Sequence, residues 1–150
     1  MRTIVGIRAG RPDYSQTIEK NVIPVSPKSQ VDNTASIFLN FSQEIPPLTT
    51  VIFTLTDENG LTYPHEGKCI RTKRLLASTS ADILIGIDLV AVSPTGSQLA
   101  IASDMAYQRV QLEPEFQTIE YPLKTQIWVG NYDTGARLVR VYWIGSEESL

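Results

Sequence analysis

The 150-residue chain contains one histidine, His65, and one cysteine, Cys69, and this scarcity limits the chemistry it can do. A histidine-based triad would set His65 beside a serine or Cys69 and a carboxylate. No Gly-x-Ser-x-Gly elbow occurs, and Pro64 beside His65 marks a loop, so a structural role is expected for the histidine. One Cys and one His cannot supply the three or four nitrogen and sulfur ligands of a zinc site. Calcium needs only oxygens, and Asp57-Glu58-Asn59-Gly60 and Asn131-Tyr132-Asp133 contain them. Neither stretch continues into a twelve-residue loop closed by a bidentate Glu. Asp, Asn and Gly are also what hairpin turns require, and the turn reading is preferred for both.

Paired carboxylates for glycoside chemistry could come from Glu113, Glu115 and Glu120, but Glu113-Pro114-Glu115 reads as an exposed loop. Gly6, Gly10 and Gly60 lack the spacing of a phosphate-binding loop. Basic neighbours in Lys68-Cys69-Ile70-Arg71 would lower the thiol pKa of an exposed Cys69. Strand alternation instead makes it a small core residue, and a single cysteine forms no intramolecular disulfide. Asn40-Phe41-Ser42 matches a glycosylation sequon by chance at a strand end. Asp88 interrupts Ile85-Gly86-Ile87-Asp88-Leu89-Val90. It must either pair, with Arg71, Arg137 or Arg140, or mark the solvent side of its strand, because a buried lone charge costs several kcal/mol. No catalytic residue, metal ligand or cofactor is expected, and an enzyme reading would need an unannounced carboxylate pair.

The elements that must position these residues are strands. Ala35, Ile37, Leu39 and Phe41 alternate onto one face, and Pro46-Pro47 stops that run. Thr50–Thr56, the turn Asp57–Gly60 and Leu61–Tyr63 predict a hairpin. Ile83–Val92, Ser93-Pro94-Thr95-Gly96 and Gln98–Ala102 predict a second, proline presetting φ and glycine accepting its positive value. Gln126–Val129 and Arg137–Ile144, joined through Asn131–Gly135, predict a third, with Trp128 and Trp143 in the core on opposite arms. Tyr107–Leu112 and Gln117–Tyr121 also alternate as strands, and Thr79–Asp82 or Ser103–Ala106 could form a turn of helix. Short strands with turn signals about every ten residues predict an all-β fold, an antiparallel β-sandwich or barrel-like domain.

Hydrophobic residues make up 42% and charged residues 19%, which suits one folded domain rather than a disordered chain. The net charge of −3 argues against direct nucleic-acid binding. The longest apolar run, Ile83–Val92, is about half of a membrane-spanning helix and contains Asp88. With no signal peptide evident, synthesis in a cytoplasm is expected. Residues 1–31 differ from the rest. They are rich in breakers and carry five basic against two acidic residues, net +3, whereas the remainder is net −6. The division expected is an extended N-terminal arm or edge strands over 1–31 and a β-sandwich over 32–150. Arg2, Ile4, Ile7, Arg8, Arg11, Tyr14, Ile23, Val25 and Lys28 are the candidate partner-binding residues of the arm.

An arm from Arg2 to Lys28 followed by a β body from Ala35 to Ile144 resembles the small structural proteins of tailed-bacteriophage virions, particularly capsid cement or decoration proteins and neck or tail components. The resemblance implies a non-enzymatic homo-oligomer seated in the virion, its arm reaching across major capsid protein subunits or other virion subunits. A rival reading is a carbohydrate-binding or adhesin module, which needs at least two of Tyr14, Tyr63, Tyr107 and Tyr132 open on one surface.

Overall fold

The computed structural model describes residues 16–25 and 35–150. β-Branched and aromatic runs become strands: β1 (Gln16–Val22), β2 (Ala35–Ile45), β3 (Thr49–Leu55), β4 (Lys68–Thr79), β5 (Leu84–Val92), β6 (Gln98–Tyr107), β7 (Arg109–Leu112), β8 (Thr118–Glu120), β9 (Lys124–Asn131) and β10 (Arg137–Ser149). One sheet has the order β1-β3-β9-β5-β6. The other runs β2-β10-β4-β7, with β8 also paired to β4. The two pack as a β-sandwich, as the alternation predicts. No helix forms among the described residues: Thr79 ends β4, and Ser103–Ala106 lie inside β6.

Alternation sends one row of each strand inward. Val51, Phe53 and Leu55 of β3, Ile85, Ile87 and Leu89 of β5, and Ile127 and Val129 of β9 meet Ile37 and Leu39 of β2, Leu75 and Ala77 of β4, and Val139, Val141 and Trp143 of β10. Phe41 and Phe53 close the layer edge to face, with ring centres 4.9 Å apart. Trp143 needs a partner for its buried N–H, and Nε1 donates to Thr72 Oγ1 at 3.0 Å.

The opposite face of the β3-β9-β5 sheet is also buried. Ile52, Val90, Val92 and Trp128 form a second, smaller cluster there. Trp128 Nε1 donates to Gln126 Oε1 at 2.9 Å, and Gln126 Nε2 donates to Thr54 Oγ1 at 3.1 Å. Both tryptophans are therefore core residues, but of different cores. Asp88 stands opposite Trp128 in register and is fully buried. It does not mark a solvent face. The arginines suggested for it are placed elsewhere: Arg71 binds Glu148, Arg137 binds Asp133, and Arg140 is exposed on β10 of the other sheet.

The β5–β6 hairpin forms as expected, turning at Gly96 with φ +92°. The other two hairpins differ. After β3 the return run Leu61–Tyr63 contributes only a bridge, Thr56 to Thr62, before the chain crosses to β4. Strands β9 and β10 do not pair at all: β9 lies between β3 and β5, and β10 between β2 and β4. Asn131–Gly135 is thus an arch between sheets. β9 is buried on both faces and lies centrally in one sheet, whereas β10 buries alternate residues and lies centrally in the other.

Strand β1 pairs parallel to β3, Gln16 opposite Thr49 through Val22 opposite Leu55. The chain then crosses to the other sheet, where Val25 bridges Phe38 of β2. The described part of the leading stretch is thus hydrogen-bonded to both sheets.

Candidate functional site

The loop from Thr56 to Gly67 closes one end of the sandwich, and there the histidine meets two carboxylates. Asp57 opens the loop as a turn former: Oδ1 accepts the N–H groups of Asn59 at 2.8 Å and Leu61 at 2.9 Å. Gly60 takes the positive φ of +85° that the turn demands. This leaves Asp57 Oδ2 facing His65 Nε2 at 2.8 Å. Glu147 arrives from β10 as the last residue of the inward row Val139, Val141, Trp143, Gly145. Its Oε2 accepts the His65 backbone N–H at 2.8 Å, and its Oε1 lies 3.1 Å from His65 Nδ1. The Tyr63 ring packs 4.6 Å from the imidazole, centre to centre.

Ionised carboxylates only accept, so a ring that bonds one at each nitrogen must donate from both and carry a proton at each. Partial burial works against that charge, but the hydrogen bonds to Asp57 and Glu147 outweigh it and raise the His65 pKa above its ordinary 6.5. Burial would likewise raise the Asp57 carboxyl, yet His65 and the Leu61 and Asn59 amides hold it below 3.8. With both nitrogens engaged, the imidazole has no lone pair left for general-base work. It clamps the loop to the end of β10.

Beside the clamp lies an open cleft of about 330 Å³, lined by Ile23, Pro24, Asp57, Glu58, Asn59 and Tyr63. Two acids, an amide and a phenol line it together with two apolar residues. A second cleft, about 380 Å³, is lined by Ser36, Arg71, Lys73, Glu115, Ile144, Gly145 and Ser146. Its Arg71 is held by Glu148 at 3.1 Å and by the Glu115 carbonyl at 2.8 Å. The Arg71 hydrogen bond, then that of Ser146, lowers the Glu148 pKa.

The calcium-like stretches serve as turns. Asn131 donates through Nδ2 to the carbonyls of Ile45 (3.0 Å), Pro46 (3.2 Å) and Gly135 (2.9 Å), and its Oδ1 accepts from the Asp133 amide at 2.9 Å. Asp133 in turn holds Arg137 at 2.9 Å, which lowers its pKa. Among the described residues, no group of three His, Cys, Asp or Glu could hold a metal ion. Cys69 is buried in β4, and burial followed by the Glu148 charge raises its pKa, as a core thiol should behave. Glu113 is exposed and reaches Arg74 at 3.5 Å, while Glu120 stays exposed on β8.

Of the partner-binding candidates, Ile23 and Val25 are 55% and 58% exposed, on either side of the buried Pro24. Arg2, Ile4, Ile7, Arg8, Arg11, Tyr14 and Lys28 lie outside the described residues. Of the tyrosines suggested for sugar stacking, Tyr107 is exposed, Tyr132 half-buried and Tyr63 buried, with Tyr14 outside the described residues. The resemblance sets Glu147 with Glu148 on an acidic body facing solvent or a second copy; instead Glu147 is buried against His65, which stands 82 residues away with no local spacing to mark it. Its placement on the inward row of β10, where an acid is out of pattern, was the available signal.

No described helix is long and apolar enough to cross a membrane. No protein-family model and no curated protein matches the sequence. Among solved structures, the chain is similar to one from infectious bursal disease virus, Gt strain, at 12% identity and a TM-score of 0.40 over 84% of this chain and 38% of that one. It is also similar to one from the Gx strain at 12% identity and a TM-score of 0.36, over 77% of this chain. The chain spans about a third of the length of the two viral chains it matches.

Proposed function

We propose that this chain is a non-enzymatic structural protein of a virion, of the capsid cement or decoration type, that forms a homo-oligomer and contacts major capsid protein subunits through its leading segment. The observation that carries the reading is the strap from Gln16 to Val25. Its backbone is hydrogen-bonded to β3 of one sheet and then to Phe38 of the other, yet Ile23 and Val25 remain exposed. Apolar side chains held on an ordered backbone lose little entropy when a partner covers them, so they suit contact. Strand β1 pairs on one side only among the described strands, so its other edge can accept a neighbour's strand. His65, with both nitrogens engaged, supports a structural rather than catalytic reading of the polar cluster.

Co-expression with the major capsid protein, followed by sedimentation of assembled shells, tests the proposal. The full chain should pellet with shells, and an Ile23→Asp, Val25→Asp variant should stay in the supernatant while melting as the parent does. A full chain that never pellets with shells overturns it.

A further inference from the structure

The histidine clamp and the strap share one joint. Thr56, the residue before Asp57, donates its N–H to the Val22 carbonyl at 2.8 Å, where the strap leaves β1. Just beyond, Pro24 is buried, and Ile23 and Pro24 line the cleft together with Asp57, Glu58 and Asn59. The strap is therefore seated on the turn that Asp57 builds. The other half of the loop is fastened independently. There the Tyr63 N–H donates to the Leu55 carbonyl at 3.0 Å, and the Tyr63 carbonyl accepts the Thr125 N–H at 2.9 Å. A neutral imidazole has one N–H, so loss of its second proton must leave one carboxylate without that donor. The two acids are not equivalent: the side chains of Glu147 and Asp57 are 8% and 17% exposed. Leaving the more deeply buried acid unbonded costs more, so the proton departs from Nε2 to solvent and Nδ1 keeps its bond to Glu147. A lone pair on Nε2 then faces Asp57 Oδ2 across a contact of 2.8 Å, and two acceptors repel. The displacement falls on the Asp57 turn and, through Thr56, on the strap. The other titratable groups around the ring do not reverse this. The Tyr63 pKa is raised, so the phenol stays neutral, and Glu58 and Glu66 add only negative charge. Lys68 of β4 meets His65 through its backbone, its N–H donating to the His65 carbonyl at 3.0 Å.

We propose that His65 is a proton-operated latch on the strap: its doubly bonded ring holds the Asp57 turn and residues 22–25 against the sandwich, and deprotonation loosens both while the sheets stay folded. The latch is a property of this chain alone. That it regulates partner contact rests on the virion reading of the strap, and on that reading basic solution weakens attachment through Ile23 and Val25.

Backbone amide exchange of the full chain alone, followed residue by residue by NMR and corrected for intrinsic rates, tests this. The Thr56 and Val25 amides donate to the carbonyls of Val22 and Phe38. Their protection should fall about tenfold as pH rises through the folded pKa of His65, the scale of a hydrogen bond to a charged group. Val129, central in its sheet between β3 and β5, should keep its protection over the same range. His65→Gln should give the lowered protection at every pH. Asp57→Asn should keep both amides protected at high pH, because its Nδ2 donates to the Nε2 lone pair while its Oδ1 still accepts the turn amides. Thr56 and Val25 amides that follow Val129 throughout the titration overturn the latch, as does a pH-dependent loss that persists in His65→Gln. Sedimentation with shells is scored separately: a latch that operates in a chain that never pellets overturns the virion reading and leaves the latch standing.

Discussion

His65 joins groups from distant parts of the chain, and its protonation sets the strength of that joint. Its folded pKa is raised, so the stability it confers is complete below the ordinary 6.5 and is lost as pH climbs through the folded value. Asp57 acts in the other direction. Its folded pKa is lowered, so its contribution is present above 3.8 and is lost on acidification through the folded value. The clamp is therefore tightest in mildly acidic solution. His65→Gln should cost about 1–2 kcal/mol at pH 6, because a buried carboxylate loses its cation. The gap between the variant and the parent should close as pH rises, as the parent's own imidazole becomes neutral. Urea unfolding at several pH values measures this, and a gap that stays constant with pH contradicts the assignment.

At the level of elements, two residues hold strands in place where the pattern alone would not. Asn131 ties the β2–β3 turn to the β9–β10 arch through three carbonyls. Asn131→Ala should cost about 3 kcal/mol, the sum expected for several buried bonds left unmade. Asn131→Asp should cost more, because a carboxylate would face carbonyl oxygens where an amide now donates; thermal melting ranks the two. Gly145 sits at the register shift between β10 and β4. A Cβ there would come within 2.5 Å of the Arg71 carbonyl and 2.7 Å of the Trp143 ring. Since the first of these is backbone, Gly145→Ala should cost about 2–4 kcal/mol, read by urea unfolding. The strands themselves were largely legible in the sequence: alternation predicted β2, β5, β6 and β7, and the breakers between them marked their ends. The pairing of β9 with β10 is not realised, because Asn131-Tyr132-Asp133-Thr134-Gly135 suits an arch between sheets as well as a hairpin.

For the whole molecule, the described part of the leading stretch belongs to the sandwich as an edge strand. Ile18 and Val22 of β1 pack against the main core, and the strand covers the edge of β3. A chain cut after Val22 should be about 2–4 kcal/mol less stable than one cut before Gln16, since it loses both side chains and bares a sheet edge. Comparing melting and aggregation of the two fragments checks this, and equal stability would show that β1 is only an appendage. Any truncation meant to probe partner contact must therefore stop before Gln16, or loss of binding would report a damaged sandwich instead.

The sequence by itself determined that this is a β protein, where its turns fall, that one histidine and one cysteine leave little for common catalysis, and that Cys69 and both tryptophans are buried. Those are local properties, carried by a period of two and by the φ preferences of Gly, Pro, Asn and Asp. Tertiary structure alone decided which sheet each strand joins, that Asp88 and Trp128 lie buried on the face away from the main core, and that Glu147 meets His65. Such outcomes depend on which apolar faces pack together across the whole chain, and residues 82 positions apart carry no mark of that in their own neighbourhoods.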